Sequence, residues 1–217
     1  MPMLRRALIL ALLLTAPGIA PAVAPAIAET PGVCLVGAAR QQIGVTVIYD
    51  PAYLRIPYPD GDIPAERGVC TDVLVRAYRA FGVDLQRLVH EDMGAFWPLY
   101  PKLWGLSRPD RNIDHRRVPN LAVFFARHGE SFPVGSGPGA YAPGDLVTWR
   151  LPSGSPHIGI VSDRRSESGT PLVVHNIGRG TLEEDVLFSF PITGRYRYLP
   201  EPLARACGEG TGAQPDP

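Results

Sequence analysis

Residues 68–82 of the chain read GVCTDVLVRAYRAFG, and this stretch defines the first clear element of the fold. Its apolar side chains recur at helical spacing, at Val73, Ala77 and Phe81. Gly82 stands where a glycine commonly ends a helix, and Asp72 in the first turn suits the positive end of the helix dipole. The stretch therefore predicts a helix that begins at or beside Cys70.

The order of the other patterns indicates the fold class. Two further helices are predicted, over residues 35–43 and 119–128, and each is followed by a glycine. After residue 143 the apolar period changes to two, which is typical of strands. The predicted strands cover residues 145–149, 158–161, 172–174 and 196–198. Because helices come first and antiparallel strands follow, we expect an α+β fold.

Cys70 is a candidate nucleophile because of its place at a helix start. A thiol attacks only as thiolate, and a helix N-terminus or a nearby imidazolium lowers a thiol pKa that is ordinarily about 8.5. The N–H groups at the same helix end could also hold an oxyanion. The alternative is that Cys70 is a small buried apolar residue, as most lone cysteines are.

Two histidines lie on strands that can pair. His157 opens one predicted strand and His175 ends the next, with a turn-rich loop between them. An antiparallel hairpin with near-equal arms places His157 opposite His175 or, one residue out of register, opposite Asn176. Either arrangement supplies a base with an orienting partner. Taken singly, each histidine could instead be structural, as we expect for His90 and His128 near helix ends.

A charged run with both signs precedes the second predicted helix. Residues 108–117 read RPDRNIDHRR, which is too dense in charge for a plain solvated face. The run is either a substrate-binding wall or a salt-bridged loop. From this run we select three residues as candidate substrate contacts: Asp114, His115 and Arg116. Asp72 and Asn176, which flank the candidate nucleophile and base partner, are added to them.

The N-terminus predicts export. Arg5 and Arg6 precede an apolar run over residues 7–16, and small residues at 26–28 suit cleavage, so residues 1–28 are interpreted as a signal peptide. The apolar run is too short to span a bilayer, which takes about 20 residues. We therefore expect a periplasmic or secreted protein without stable membrane insertion. Equal numbers of basic and acidic residues, 21 of each, argue against a nucleic-acid partner.

One domain is expected in the mature chain, and it is expected to be monomeric. Residues 31–202 would form that domain, and residues 203–217, rich in glycine and proline, a flexible tail. Three cysteines leave an odd thiol. A bridge between Cys34 and Cys207 would join the two ends of the domain and leave Cys70 free. The position of Cys207 in the tail argues against that bridge, so both possibilities stay open.

Four segments closely resemble a bacterial family, domain-of-unknown-function family 1287: residues 68–78, 112–120, 156–163 and 174–178. More distantly, the order of Cys70, the Pro-Gly-Asp-Leu strand at residues 143–146, His157 and His175 is similar to NlpC-type cell-wall cysteine peptidases. That resemblance implies a papain-like α+β fold with a nucleophile helix packed on a small antiparallel sheet. It also implies Cys70 as nucleophile, His157 as general base and His175 as orienting residue.

Two departures from the NlpC-type pattern limit the resemblance. Residues 69–72 read VCTD where those peptidases have Asp-Cys-Ser-Gly, and a long insertion separates Cys70 from residue 143. Substrate specificity therefore does not transfer. The tyrosine that often precedes the cysteine in those peptidases could be Tyr49, Tyr53 or Tyr58.

The sequence favours an exported cysteine peptidase or amidase that cleaves an amide bond in peptidoglycan stem peptides. The alternative is a non-catalytic module of the same fold that binds cell-wall glycopeptides. No cofactor is expected. A metal site drawn from Asp114, His115, His157 and His175 lacks the close ligand spacing of known metal motifs.

Overall fold

Side chains at the helix ends cap the helices and define where they begin. The computed structural model describes residues 29–135 and 137–210, and within them the helices are α1 (Pro31–Arg40), α2 (Cys70–Arg79), α3 (Leu85–Ala95), α4 (Val118–His128) and α5 (Glu201–Gly210). The Asp84 carboxylate caps α3 by accepting from the N–H of Gln86 at 2.9 Å. The Asp72 carboxylate accepts from the N–H of Val69 at 2.7 Å, which closes the start of α2. The predicted helix beginning at Cys70 is confirmed.

A six-stranded antiparallel sheet forms the second layer. The strands are β1 (Ile48–Tyr49), β2 (Arg67–Gly68), β3 (Glu130–Ser131), β4 (Leu146–Arg150), β5 (Pro156–Arg165), β6 (Pro171–His175), β7 (Leu182–Glu184) and β8 (Ile192–Arg197). The order in the large sheet is β3-β8-β4-β5-β6-β7, and β1 and β2 form a separate parallel pair. The predicted α+β class and the four predicted strands are confirmed, whereas β1, β2, β3 and β7 were not predicted.

The sheet is buried on both faces, and the side chains of its strands point alternately into two cores. Ile158 and Ile160 of β5 pack against α1 and α2 in the larger core. Val161 of the same strand packs with Val147 and Trp149 of β4 in a smaller core on the other face. Since neighbouring residues of a strand point to opposite faces, β5 carries side chains into both cores. Helix α2 therefore lies on one face of the strand that begins beside His157.

A disulfide joins the two ends of the domain. Cys34 of α1 and Cys207 of α5 are bonded, with their Cα atoms 6.0 Å apart, and Cys70 keeps a free thiol. This bridge confirms one of the two possibilities that the cysteine count left open. The expectation of a flexible tail from residue 203 is wrong as far as residue 210. Burial of Leu203 and Cys207 against α1 stabilises a helix that the local glycine content argued against.

Both ends of the chain include segments outside the described residues. The predicted signal peptide, residues 1–28, and residues 211–217 of the predicted tail belong to them. Among the helices that the structure describes, none combines the length and apolar character needed to cross a bilayer.

Candidate active site

Cys70 sits at the start of α2 with its sulfur against the backbone of β5. The backbone N–H groups of Ile158 and Thr71 face the sulfur and favour its charged form. Pairing between β5 and β6 begins at Ile160 and Val174, so the N–H of Ile158 lies before the first paired residue. The side chain is buried, with 5% of its surface exposed. The residue after His157 thus holds the candidate nucleophile.

The thiol of Cys70 is protonated in this environment. Burial raises its pKa to about 12, and the Asp72 carboxylate acts in the same direction, while the N–H of Ile158 opposes the shift. The helix N-terminus was expected to favour the thiolate, but burial has the opposite and larger effect on the pKa of this thiol. Desolvation outweighs the helix end because the sulfur has almost no contact with water. The Cys70 side chain is therefore a neutral thiol.

The two candidate histidines are in contact. Nε2 of His157 lies 2.9 Å from Nδ1 of His175, and both rings are buried. Trp149, which pairs with His157 across β4 and β5, packs on the first ring with 5.6 Å between ring centroids. His157 therefore shares the Trp149 face of the sheet, whereas Ile158 points to α2. Cys70 and His157 flank the start of β5 from its two faces.

The predicted contact between the histidines is confirmed, but the predicted register is not. Ile160 pairs with Val174, so His175 lies opposite Gly159 and is a diagonal neighbour of His157. An irregularity between Val161 and Arg165 shifts the strands, and a hairpin with equal arms does not anticipate it. A Cβ on Gly159 would lie 3.1 Å from the Cβ of His175. The glycine leaves the space in which the second ring reaches the first.

A carboxylate that sequence analysis missed completes the chain of hydrogen bonds. Oε2 of Glu184 lies 3.1 Å from Nε2 of His175, and Oε1 accepts from Arg179 at 2.8 Å. Glu184 pairs with Val173 across β6 and β7, on the same face as His175. An acidic residue on a strand beside β6 would have indicated this partner from the sequence. Strand β7 has only three residues, however, and was not predicted.

Glu184 fixes the tautomers of both rings. An ionised carboxylate only accepts, so Nε2 of His175 carries its proton, and a neutral ring then accepts at Nδ1. Nε2 of His157 must therefore donate, which leaves Nδ1 of His157 without a proton. Burial lowers the pKa of His157 to about 3, with a smaller contribution from His175, and burial also lowers the pKa of His175. Both rings are neutral at pH 7, as this assignment requires.

Two of the residues selected as substrate contacts are instead paired with each other. The Arg116 guanidinium binds the Asp72 carboxylate through two bonds of 2.9 and 3.0 Å, and both side chains are buried. Arg116 also donates to the carbonyls of Asp50 and Ala52. These bonds tie the loop after β1 to the start of α2. Arg116 and Asp72 therefore form a salt bridge inside the fold. Each nitrogen of the Arg116 guanidinium already donates a hydrogen bond.

The other three selected residues are buried inside the fold. Asn176 donates to the carbonyl of Gly68 and accepts from the N–H of Gly178, both at 3.1 Å, so it is not the partner of His157. Burial raises the pKa of Asp114 to about 6 and lowers the pKa of His115 to about 3. Each of these side chains has at most 2% of its surface exposed. All three side chains are therefore packed inside the fold in this structure.

A cleft of about 240 Å³ opens beside Cys70. Its walls include Tyr49, Trp104, Arg117, Pro119 and Pro156. Of the three tyrosines considered from the sequence, the one that lines this cleft is Tyr49, and burial raises its pKa to about 12. A neighbouring cavity of about 450 Å³ shares Pro119 and Pro156 and is lined by Trp149. An extended substrate could run through both.

Across residues 29–135 and 137–210, no group of three or more His, Cys, Asp and Glu side chains is arranged to hold a metal ion.

Comparison with solved structures returns NlpC-type proteins. NlpC1 of Trichomonas vaginalis matches 78% of this chain with a TM-score of 0.44 and 13% identity. NlpC2 of the same organism matches 81% of it with a TM-score of 0.45 and 14% identity. This chain spans 44% and 49% of those two longer chains.

Comparison of sequences identifies the family. An Escherichia coli (strain K12) protein, the uncharacterized protein YijF, is 52% identical over 186 residues, which cover 86% of this chain and 90% of the relative. The model of a domain of unknown function, DUF1287, matches residues 36–198. The chain therefore belongs to the DUF1287 family.

Proposed function

We propose that this protein is an exported cysteine hydrolase that cleaves an amide bond in peptidoglycan stem peptides. The proposal depends above all on the 2.9 Å contact between His157 and His175, backed by Glu184, at the strand end where the Cys70 sulfur is held. The hydrogen-bond chain leaves Nδ1 of His157 as a free base. A neutral base with a fixed tautomer, on the residue that precedes Ile158 at the Cys70 sulfur, suits nucleophilic catalysis.

In the proposed mechanism, Nδ1 of His157 takes the Cys70 proton while the sulfur attacks the substrate carbonyl. The tetrahedral intermediate collapses to a thioester, and the imidazolium gives its proton to the leaving amine. Water, deprotonated by the same ring, then hydrolyses the thioester and regenerates the thiol. His175 and Glu184 stabilise the transient positive charge on His157. N–H groups at the start of α2 are suited to bind the oxyanion.

The compartment and the substrate are also part of the proposal. The signal-peptide pattern of residues 1–28 and the disulfide between Cys34 and Cys207 both suit the oxidising space outside the cytoplasm. In bacteria this space contains the cell wall. The resemblance of the motif order to NlpC-type cell-wall peptidases supports peptidoglycan peptides as the substrate.

One observation favours a second candidate function, a binding module without turnover. The Cys70 thiol is nearly inaccessible and its pKa is raised to about 12, which suits a buried structural cysteine. Such a module would hold a cell-wall peptide in the same cleft. The two candidates differ in whether His157 activates Cys70.

A peptide-based electrophile with a carbonyl at the reactive carbon distinguishes the two functions. We expect it to label wild-type protein at Cys70, not to label Cys70→Ala, and to label His157→Gln at least 100-fold more slowly. Arg165→Gln, at the far end of β5, is the matched control and should react as wild type does. Equal labelling rates for wild type and His157→Gln would support the binding module.

A further inference from the structure

The cleft beside Cys70 contains an arginine whose hydrogen-bonding capacity is unused. Arg117 lines this cleft, and its guanidinium carbon lies 4.1 Å from the centroid of the Trp104 ring. Its nearest carboxylate oxygen, on Asp114, is 3.8 Å away, beyond hydrogen-bond distance. Among the described residues, the guanidinium of Arg117 has no hydrogen-bond acceptor. Its charge is partly shielded from water, because its side chain is only 17% exposed.

The adjacent Arg116 also lines this cleft, but its guanidinium has a structural role. Arg116 places its guanidinium on the Asp72 carboxylate and on two backbone carbonyls. Arg117 is held differently, because its guanidinium lies over the Trp104 ring and its N–H groups make no hydrogen bond within the described structure. A stacked guanidinium with free donors is prepared for a planar anion.

The surrounding charge favours an acidic ligand. A larger polar cavity of about 650 Å³ is lined by the same chain segment. Three arginines line it, and none of them forms a salt bridge within the described residues: Arg55, Arg108 and Arg111. Asp110, the acidic residue among them, accepts hydrogen bonds from Tyr53 and Asn112. This wall of the molecule therefore attracts negatively charged peptides toward the cleft.

We propose that Arg117, positioned by Trp104, binds a carboxylate of the substrate next to the amide bond that Cys70 attacks. The substrate class is then peptides with a free carboxylate close to the cleaved bond, and amidated peptides are poor substrates. A guanidinium binds a carboxylate through two parallel hydrogen bonds, which also fixes the orientation of the substrate. This inference rests on the proposed function of the same site.

The test uses stem tripeptides made of alanine, glutamate and diaminopimelate, in which each free carboxylate in turn is replaced by its amide. For wild type, amidation of one carboxylate should lower kcat/KM by about 10- to 100-fold. For Arg117→Gln, the same amidation should change kcat/KM less than twofold. Arg117→Lys should keep part of the discrimination, because it keeps the charge but loses the planar fork. Arg165→Gln should discriminate as wild type does.

A binding measurement separates this inference from the proposed function. Cys70→Ala binds without cleaving, so calorimetric titration with the same peptides tests the carboxylate contact alone. Weaker binding of one amidated peptide by Cys70→Ala, with no such difference in Cys70→Ala/Arg117→Gln, supports the contact even if wild type cleaves nothing. If Arg117→Gln discriminates against amidated peptides as strongly as wild type in both assays, the inference is wrong.

Discussion

Glu184 and His175 share a hydrogen bond of 3.1 Å, and this bond determines which nitrogen of His157 is free to act as a base. The carboxylate accepts from Nε2 of His175, so the acceptor that His175 offers to His157 is Nδ1. Protein residues that orient a functional histidine are typically worth about 10- to 100-fold in activity. Glu184, His175 and His157 therefore form one hydrogen-bonded chain, and sequence analysis did not include Glu184 in it.

Removal of the Glu184 carboxylate should impair turnover more than substrate binding. In Glu184→Ala the rings can adopt the opposite tautomers, and we expect kcat to fall by about 10- to 100-fold with little change in KM. Glu184→Gln keeps an acceptor but loses the charge that stabilises the imidazolium, so its loss should be smaller. Asp185→Asn, the neighbouring exposed acid, is the control. Wild-type kcat in Glu184→Ala would show that the carboxylate has no role in orientation.

The rate at which Cys70 reacts with iodoacetamide should depend on pH as expected for a thiol with a raised pKa. Below a pKa of about 12 the thiolate fraction rises tenfold with each pH unit. The alkylation rate should therefore climb about tenfold per unit from pH 7 to pH 10, without a plateau. Cys34 and Cys207 are bonded, so the signal reports Cys70 alone. A plateau near pH 7 would reveal a preformed thiolate–imidazolium pair and would contradict the neutral resting state.

Gly159 should tolerate no side chain. A Cβ there would lie 2.6 Å from Cγ1 of Val173 and 3.1 Å from Cβ of His175. We expect Gly159→Ala to lower the free energy of unfolding by about 1–3 kcal/mol and to reduce activity by displacing the His175 ring. Adding Val173→Ala relieves the first contact only, so the double variant should recover stability but not activity. Recovery of both would mean that the position of His175 is not the cause.

Buried neutral histidines should destabilise the protein in acid. The pKa of His115 is lowered to about 3 by burial, against an ordinary value of 6.5. Below pH 6.5 the unfolded chain binds a proton that the folded chain does not, so stability present above pH 6.5 is lost as the pH falls toward 3. Each such histidine contributes a slope of about 1.4 kcal/mol per pH unit.

Urea unfolding of His115→Gln between pH 4 and pH 6 measures that slope. The variant should depend less steeply on pH than wild type, by about 1.4 kcal/mol per unit. His157, whose pKa is also lowered to about 3, continues to contribute in both proteins. Identical slopes would show that His115 is protonated in the folded state.

Much of the fold followed from local patterns, because α2 and the hairpin of β5 and β6 are encoded by residues close in sequence. The contact between His157 and His175 was predictable for the same reason. The register was not, since a strand irregularity has no clear sequence signal. Short β7 and its Glu184 were missed, and so was α5, which depends on packing and a disulfide with α1.

The state of Cys70 could not be predicted from its own helix. A helix start lowers the pKa of a thiol, but this thiol is almost fully buried in the tertiary structure, and desolvation dominates. The composition of residues 108–117 also did not show whether this charged run is a salt-bridged loop or a substrate-binding wall. The structure divides it into Arg116, which is paired inside the fold, and Arg117, which faces the cleft with free donors.

Mass analysis of purified peptidoglycan after incubation with wild type and with Cys70→Ala tests the central claim most directly. The account predicts that wild type releases peptide fragments whose new ends show hydrolysis of one type of amide bond, and that Cys70→Ala, folded and disulfide-bonded, releases none. Identical fragment patterns for the two proteins, whether both are inert or both are active, would contradict a hydrolase that uses Cys70 as its nucleophile.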